Sequence, residues 1–201
     1  MRCYLLEFVE KQNSRSLFIE KYQRSSEKAL SEIPIESLRK LIELLEKTRE
    51  KDRQIFVCGN GGSASMSSHL AGELAKEPSD TDYNPFRIYS LTDNVAWMSA
   101  IANDLDYSKI FVEQLKNLAR EDDLLICFSC SGNSKNIIEA VEWANKTNVI
   151  TVGITGRNGG RLTKLARLIV SVPSDFTPHV QEGHLQIQHL ISYYFAETEF
   201  H

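Results

Sequence analysis

The chain opens with two stretches whose apolar residues recur at helical spacing. The first lies between Phe18 and Ile33 and is rich in polar residues. Pro34 stands where a second helix can begin. The apolar residues of that second helix form a single stripe: Ile35, Leu38, Leu41, Ile42 and Leu45. The charged run at 47–53 is predicted to end it as a solvated face and turn. Because an apolar stripe needs a partner, we expect it to pack on the following domain or on another copy of the chain.

After residue 53, short apolar runs alternate with helical patterns. The runs are about five residues long and mostly apolar throughout, at 55–58, 86–91, 124–129, 149–155 and 168–172. Helical patterns separate them, at 63–76, 94–102, 107–119, 133–147 and 160–166, and a last helix is predicted from about His179 to Glu197. Apolar strands that alternate with helices are typical of a mostly parallel sheet covered on both sides. The pattern therefore predicts an α/β fold, with a central five-stranded sheet between two layers of helices.

The composition is that of an ordinary globular domain. Of 201 residues, 42% are hydrophobic and 25% are charged, so one domain is expected, with two small domains as the alternative. The net charge of −4 gives no overall reason to bind nucleic acid or an anionic membrane. We find no apolar stretch long enough for a transmembrane helix and no secretory signal. The four cysteines, including Cys3, are too few for a disulfide framework. We therefore expect a soluble protein of the reducing cytoplasm.

A serine-rich loop, residues 129–134, follows one predicted strand and opens a helix. Backbone N–H groups at the start of a helix lack partners and lie at the positive end of the helix dipole. Serine hydroxyls add donors without bulk, and Gly132 lets the backbone approach a ligand closely. No lysine follows the glycine, which argues against a nucleotide P-loop. The pattern favours phosphate binding over a simple turn with a serine cap. We call residues 129–134 the serine loop.

A second loop, residues 59–63, also joins a strand to a helix and holds three glycines in four positions. Such a sequence is typical of a tight backbone near a ligand, and equally of a tight strand-to-helix turn. Asn60 and Ser63 favour ligand contact, whereas the spacing does not match a dinucleotide-binding loop. We call residues 59–63 the glycine loop.

Polar residues on the flanking helices are the next candidates. His69 and Glu73 lie four residues apart on the helix that follows the glycine loop, so they share a face. They can form half of a metal site, a base with its neighbour, or a plain surface ion pair. In the C-terminal helix, spacing groups Gln181 with His184, while His189 lies on another stripe. Periodicity does not choose between these two histidines.

Three further features are ambiguous. Cys127 and Cys130 form a C-x-x-C pair without a second pair or a suitable histidine, which indicates coincidence rather than zinc or redox chemistry. Asn103 and Asp104 lie between two helical patterns. They form either a simple turn or contacts for sugar hydroxyls. The basic turn at 157–161 is interpreted as a solvated loop.

Taken together, these segments resemble the sugar isomerase (SIS) domain and, within it, the bacterial phosphoheptose isomerases. The resemblance runs from about residue 20 to 195 and rests on the segments 58–74, 100–111, 129–136, 153–156 and 180–189. The serine loop is typical of SIS domains in general and implies a phosphosugar ligand. The combination of His69, Glu73, Gln181 and His189 corresponds to the metal and catalytic set of the isomerases. The resemblance therefore selects His189 over His184.

The resemblance implies a role for each matching residue. Glu73 would be the base and His189 the acid, and one zinc ion per subunit would be bound by His69, Glu73, Gln181 and His189. The residues implied in substrate binding, besides Glu73 and Gln181, are Asn60, Gly61, Gly62, Ser63, Asn103, Asp104, Ser129, Cys130, Ser131 and Ser134. Cys130 departs from the family, which more often has threonine there, and a thiol is a weaker donor than a hydroxyl.

The implied activity is the isomerisation of sedoheptulose 7-phosphate to D-glycero-D-manno-heptose 7-phosphate through an enediol, the first step of heptose biosynthesis for glycans such as lipopolysaccharide. The alternatives are a non-catalytic SIS module that binds a phosphosugar or a protein, such as the replication-initiator-binding relatives, and an isomerase of another phosphorylated ketose. The resemblance also implies a homotetramer with active sites between subunits. We expect residues 1–52 to form a helical segment that contributes to the oligomer, and residues 53–201 to form the SIS domain proper.

Spacing adds one constraint of its own. Gln181 and His189 are eight residues apart, which is about 12 Å along a continuous helix. Zinc ligands lie only about 2 Å from the metal. Either the helix starts after Gln181, or His189 comes from a second chain.

Overall fold

The computed structural model of the chain describes residues 2–76 and 84–196, with side chains from residue 14 onward. Two helices, α1 (Arg2–Ser31) and α2 (Ile35–Glu50), come before the first strand. The following elements are β1 (Gln54–Gly59), α3 (Gly62–Lys76), β2 (Arg87–Ser90), α4 (Val95–Asp104), α5 (Val112–Leu118), β3 (Leu124–Ser129), α6 (Lys135–Lys146), β4 (Ile150–Gly156), α7 (Leu162–Leu165), β5 (Leu168–Val172) and α8 (Thr177–Phe195).

The five strands form one parallel sheet in the order β2-β1-β3-β4-β5. The predicted α/β fold and its five-stranded sheet are confirmed. At the carboxyl edge of the sheet, Gly59 pairs with Phe128 and Ser129 pairs with Thr155. Because parallel strands end at the same edge, the glycine loop and the serine loop leave the sheet side by side.

Both faces of the sheet are buried, which explains why its strands are apolar throughout. Successive residues of a strand point to opposite faces. Ile55 and Val57 therefore join one core with α2, α3 and α8, whereas Phe56 and Cys58 join a second core with α5 and α6.

The N-terminal helices find their partner within the chain. Leu41 and Leu45 of the predicted stripe are fully buried in the same core as Ile191 and Phe195 of α8. At the start of the stripe, Ile35 is 81% exposed. None of the helices within the described ranges is long and apolar enough to cross a membrane.

Two predicted helix boundaries are wrong. Helix α1 begins at Arg2, inside the N-terminal stretch that the sequence predicts to be helical. Helix α2 continues into the charged run to Glu50, because Thr48 on its inner face is buried, and the chain turns only at Asp52 with a φ of 51°. Two further predictions fall on residues that are not described, the end of the last helix at Glu197 and the side chain of Cys3.

The second boundary lies in the predicted helix at 107–119, which is divided into a short 3₁₀ turn at Tyr107–Lys109 and α5. The Asp106 carboxylate accepts a hydrogen bond from the Ser108 backbone N–H at 2.8 Å and starts the turn. The break follows at Phe111, which is fully buried in the second core.

Candidate functional site

The two loops at the carboxyl edge of the sheet enclose a cavity of about 550 Å³. We call it the serine-loop cavity. Seven of the predicted site residues line it: Asn60, Ser63, Ser129, Cys130, Ser131, Ser134 and Gln181. They reach it from the two loops and from the first turns of α8. The tertiary fold thus brings together residues that are up to 121 positions apart in the sequence.

The glycine loop is as tight as its sequence indicates. Gly61 has a φ of +56°, a backbone conformation that side chains disfavour. A Cβ on Gly62 would lie 2.6 Å from the Gln181 Nε2. Gly62 therefore leaves the space that the Gln181 amide occupies, and the loop and α8 are packed directly on each other.

Asn60 is held in place by two residues that the sequence did not single out. Asn60 and Asn136 exchange side-chain hydrogen bonds of 2.9 and 2.8 Å, and the Tyr107 hydroxyl donates to the Asn60 Oδ1 at 2.9 Å. Asn136 belongs to the first turn of α6, directly after the serine loop. These bonds tie the glycine loop to the helix that the serine loop opens.

The serine loop turns at Gly132, whose φ is +62°. The Ser129 hydroxyl accepts a hydrogen bond from the Gly132 backbone N–H at 3.2 Å and stabilises this turn. Within the described residues, Ser134 stands at the start of α6 without a side-chain capping bond. The Lys135 and Asn136 backbone N–H groups and the Ser134 hydroxyl are thereby left for a ligand, whereas the Ile137 N–H donates to the Asn136 side chain at 3.0 Å.

The C-x-x-C pair is divided between the core and the cavity. Cys127 is fully buried on β3, with its Sγ 3.5 Å from the Cys58 Sγ on the neighbouring strand. Cys130 is half-buried in the cavity wall. Burial raises the pKa of the Cys130 thiol, and a hydrogen bond with Ser63 offsets this only in part. The thiol is therefore neutral at pH 7, and the two cysteines do not form a common redox centre.

A second group of polar residues lies where α3 packs against α8. His69, Glu73 and His189 bring their potential ligand atoms within 4.8 Å of one another, and we call them the reactive cluster. The Glu73 Oε1 lies 3.0 Å from the His69 Nε2 and 3.6 Å from the His189 Nε2. The Gln188 amide adds a 3.4 Å contact to the other Glu73 oxygen.

The donor set of the reactive cluster fits zinc. Two ligand atoms that are each about 2.1 Å from a tetrahedral zinc lie roughly 3.4 Å apart. The 3.0 and 3.6 Å contacts to Glu73 bracket that separation. Two imidazoles and one carboxylate are a set that leaves a position open for a further ligand.

Gln181 does not join the reactive cluster of its own chain. Helix α8 is continuous from Thr177 to Phe195, so the option that it starts after Gln181 is wrong. Gln181 lines the serine-loop cavity, and His189 lies about 12 Å further along the same helix. His189 reaches Glu73 within one chain, and it is Gln181 that is left apart.

The structure distinguishes His184 from His189, which the spacing of residues along the helix could not do. His184 is fully buried beneath the cavity, with its ring centre 5.5 Å from that of Phe128. Burial lowers the pKa of His184 to about 4, and the nearby Thr155 backbone opposes that shift only weakly. Neither His184 ring nitrogen makes a well-formed hydrogen bond with any described residue. His189, by contrast, keeps 45% of its side chain exposed.

Besides Glu73, four predicted contacts do not line the cavity of this chain: Gly61, Gly62, Asn103 and Asp104. Asn103 and Asp104 end α4, are exposed, and bond to each other at 2.8 Å. Gly61 is exposed as well, although it shapes the glycine loop.

Conversely, the turn at 157–161 is not simply a solvated loop, because Arg157 and Asn158 line the cavity together with Asp175. The sequence position of residue 157 indicates this role, because it directly follows a parallel strand, where open α/β sheets bind ligands.

Comparison with known proteins shows similarity along most of the chain. A profile of the SIS domain matches residues 18–156. The phosphoheptose isomerase of Helicobacter pylori (strain ATCC 700392 / 26695) is 36% identical over 170 residues, which are 85% of this chain and 88% of that protein. The phosphoheptose isomerase of Aliarcobacter butzleri (strain RM4018) is 37% identical over 185 residues, 92% of this chain and 91% of that one. A solved phosphoheptose isomerase from Francisella tularensis has a TM-score of 0.81 and 29% identity, and the match covers 90% of this chain and 97% of that one.

Proposed function

The chain belongs to the SIS-domain family of phosphoheptose isomerases, and we propose that it converts sedoheptulose 7-phosphate to D-glycero-D-manno-heptose 7-phosphate. The observation that carries this proposal is the serine-loop cavity, with hydroxyls and free helix N–H groups at the carboxyl edge of the sheet. The product would enter heptose biosynthesis, with lipopolysaccharide as one destination. We place the reaction in the cytoplasm, in keeping with a cysteine content too low for a disulfide framework.

The serine loop is the proposed phosphate site. Ser129, Cys130, Ser131 and Ser134 surround the end of the cavity where α6 begins, and the α6 dipole favours an anion there. Asn60, Ser63 and Gln181 then contact the sugar, and Gly62 leaves room for the Gln181 amide. Binding energy from the phosphate, which does not react, orients the far end of the sugar.

The reactive cluster supplies the proposed proton transfers. Glu73 takes a proton from C1 while His189 gives one to the C2 oxygen, which forms the enediol. Glu73 then returns its proton to C2, and His189 takes one from the C1 hydroxyl, which leaves the aldehyde. The 3.6 Å contact between Glu73 and His189 keeps the acid and the base on neighbouring atoms of the substrate. His69, Glu73 and His189 would hold zinc, which would supply Lewis acidity at the sugar oxygens. The zinc-binding and proton-transfer roles of Glu73 and His189 alternate, because an atom bound to zinc cannot carry a proton.

Distance supports an active site shared between subunits. Ser63 and Glu73 are ten residues apart on α3, which is about 15 Å along the helix. From phosphorus to C1, an extended heptose 7-phosphate spans at most roughly 10 Å. The helical span from Ser63 in the cavity wall to Glu73 is thus longer than the substrate chain, and Gln181 in the same cavity is likewise about 12 Å along α8 from His189. In the proposed homotetramer, the cavity and Gln181 of one chain meet the reactive cluster of another.

The reaction is tested by turnover of sedoheptulose 7-phosphate with protein that has been stripped by a chelator and then reloaded with zinc. We expect turnover to fall on chelation and to return with zinc. If no metal gives turnover while inorganic phosphate still raises the melting temperature, the chain is a binding module rather than an enzyme.

Mixing subunits tests the shared site. Glu73→Gln and Ser134→Ala tetramers, each weakened in a different half-site, are dissociated together and reassembled. A shared site predicts activity above that of either parent, because some sites then combine two intact halves. If each site lies within one chain, no mixture can exceed its parents. Light scattering that found only monomers would also contradict the proposal.

A further inference from the structure

The serine-loop cavity has an unusual charge balance for a proposed phosphate site. A phosphate monoester carries a charge of about −1.5 to −2 at pH 7. The serine loop offers hydroxyls, one neutral thiol and backbone N–H groups, none of which has a formal positive charge. Within the described part of the chain, Arg157 is the one cationic side chain that lines the cavity, and Asp175 is the one carboxylate.

Backbone contacts fix the Arg157 turn against the serine loop. The Gly156 backbone N–H donates to the Cys130 carbonyl at 3.1 Å, and the Leu162 N–H donates to the Gly132 carbonyl at 3.1 Å. A Cβ on Gly132 would lie only 1.8 Å from the Gly159 carbonyl oxygen. The two loops therefore form one unit, and Arg157 has a fixed attachment point beside the proposed phosphate.

The present partners of Arg157 do not account for its position. Its Nε lies 3.7 Å from the Asp175 Oδ2, and an Nη2 hydrogen bond goes to the Pro173 carbonyl. The Arg157 and Asp175 side chains are 56% and 63% exposed, and an ion pair so exposed contributes little to stability. The guanidinium has five N–H donors in a planar fork that matches phosphate oxygens.

Asp175 has a second partner. The Asn158 Nδ2 donates to the Asp175 Oδ1 at 3.0 Å, so this carboxylate remains bonded when the Arg157 guanidinium turns to another anion. The arrangement lets Arg157 exchange a weak, exposed partner for a stronger one without leaving an unpaired charge behind.

We propose that Arg157 binds the substrate phosphate directly and is a specificity-determining residue for phosphorylated over unphosphorylated sugars. The guanidinium adds the positive charge that the serine loop lacks. This inference rests on the proposed phosphate position in the serine loop.

Inorganic phosphate as a competitive inhibitor tests the inference directly. A hydrogen bond to a charged group contributes about 1.5–3 kcal/mol, so Arg157→Ala is expected to raise the phosphate inhibition constant roughly tenfold to a hundredfold. The KM for the sugar phosphate should rise in parallel, with a smaller effect on kcat. Arg157→Lys should fall between the two proteins, because it keeps the charge but loses the planar fork.

Arg161→Ala is the matched control, because the Arg161 side chain pairs with Glu142 at 3.0 Å and does not line the cavity. Its inhibition constant should stay within about twofold of the unmodified protein. An unchanged constant in Arg157→Ala, together with a raised one in Ser134→Ala, would overturn the role of Arg157 alone. Unchanged constants in both variants would overturn the phosphate position as well.

Discussion

The serine-loop cavity and the reactive cluster are built in opposite ways. The cavity is shaped by backbone: positive-φ glycines at 61 and 132, strand ends, and the unpaired start of α6. The reactive cluster is made of side chains on two long helices that pack along each other. A site built from backbone fails when a turn is changed, whereas a site built from side chains fails when a single atom is changed. The predictions below use that difference.

The largest effect is expected from one atom in the reactive cluster. General acid–base groups contribute about 10²–10⁴-fold to a rate, so Glu73→Gln should lower kcat by that factor. The inorganic phosphate inhibition constant should change little, since Glu73 does not line the serine-loop cavity. Glu142→Gln, an exposed carboxylate on α6, serves as the control. An unchanged kcat in Glu73→Gln would remove Glu73 as the base.

The next effect is expected from a turn in the cavity wall. An alanine at Gly132 has an unfavourable φ and a Cβ 1.8 Å from a backbone oxygen. Strain and overpacking together should lower the free energy of unfolding by roughly 2–5 kcal/mol and weaken phosphate binding.

Gly72→Ala is the control for that variant, because Gly72 lies in α3 with nothing near its Cβ position. It should instead stabilise the protein by about 0.5–1 kcal/mol. Denaturant unfolding measures both changes, and equal effects of the two substitutions would contradict the contrast.

A pH effect on stability should come from His184, which is buried beneath the cavity. The pKa of His184 is lowered to about 4 in the folded protein, against about 6.5 in the unfolded chain. Between these values the unfolded chain binds the proton and the folded protein does not, so stability falls as the pH falls from 6.5 towards 4. The loss amounts to about 3 kcal/mol.

His184→Leu should remove this part of the pH dependence in unfolding experiments. Ile187→Val, a substitution in the same helix that removes no titratable group, should keep it. A His184→Leu protein with the original slope would assign the pH dependence to other groups.

The smallest effect concerns the one departure from the family in the serine loop. A hydroxyl is a better donor than a thiol, so Cys130→Thr should lower KM roughly twofold to fivefold, or about 0.5–1 kcal/mol. The value of kcat should not change. Cys130→Ala, which adds no donor, should give no such gain, and a gain of equal size in both variants would indicate a steric cause.

Much of the fold follows from local pattern. The apolar runs predict all five strands, because strands buried on both faces have to be apolar throughout. The boundary at residue 107 could not be read in the same way. That segment is divided by a local cap at Asp106 and by the burial of Phe111 in the second core. Neither contact can be derived from the spacing of apolar residues along the chain.

In the candidate site, too, local pattern predicts some features, whereas others depend on the tertiary structure. Loops after strands marked the cavity, because parallel strands all end at one edge. Arg157 was missed since a basic turn, taken by itself, looks solvated, and only the tertiary structure places it beside the serine loop. The separation of Gln181 from the reactive cluster depends on the continuity of α8, which spacing constrained but could not decide.

Helix α8 carries a further consequence. Its first turns present Gln181 to the serine-loop cavity, and its eleventh to thirteenth residues lie against α3 at the reactive cluster. Hydrogen bonds between successive turns make α8 one continuous element of about 28 Å. In the proposed tetramer its two ends serve different active sites. Each subunit would then lend one helix to two sites, and a substitution that breaks α8 would damage both.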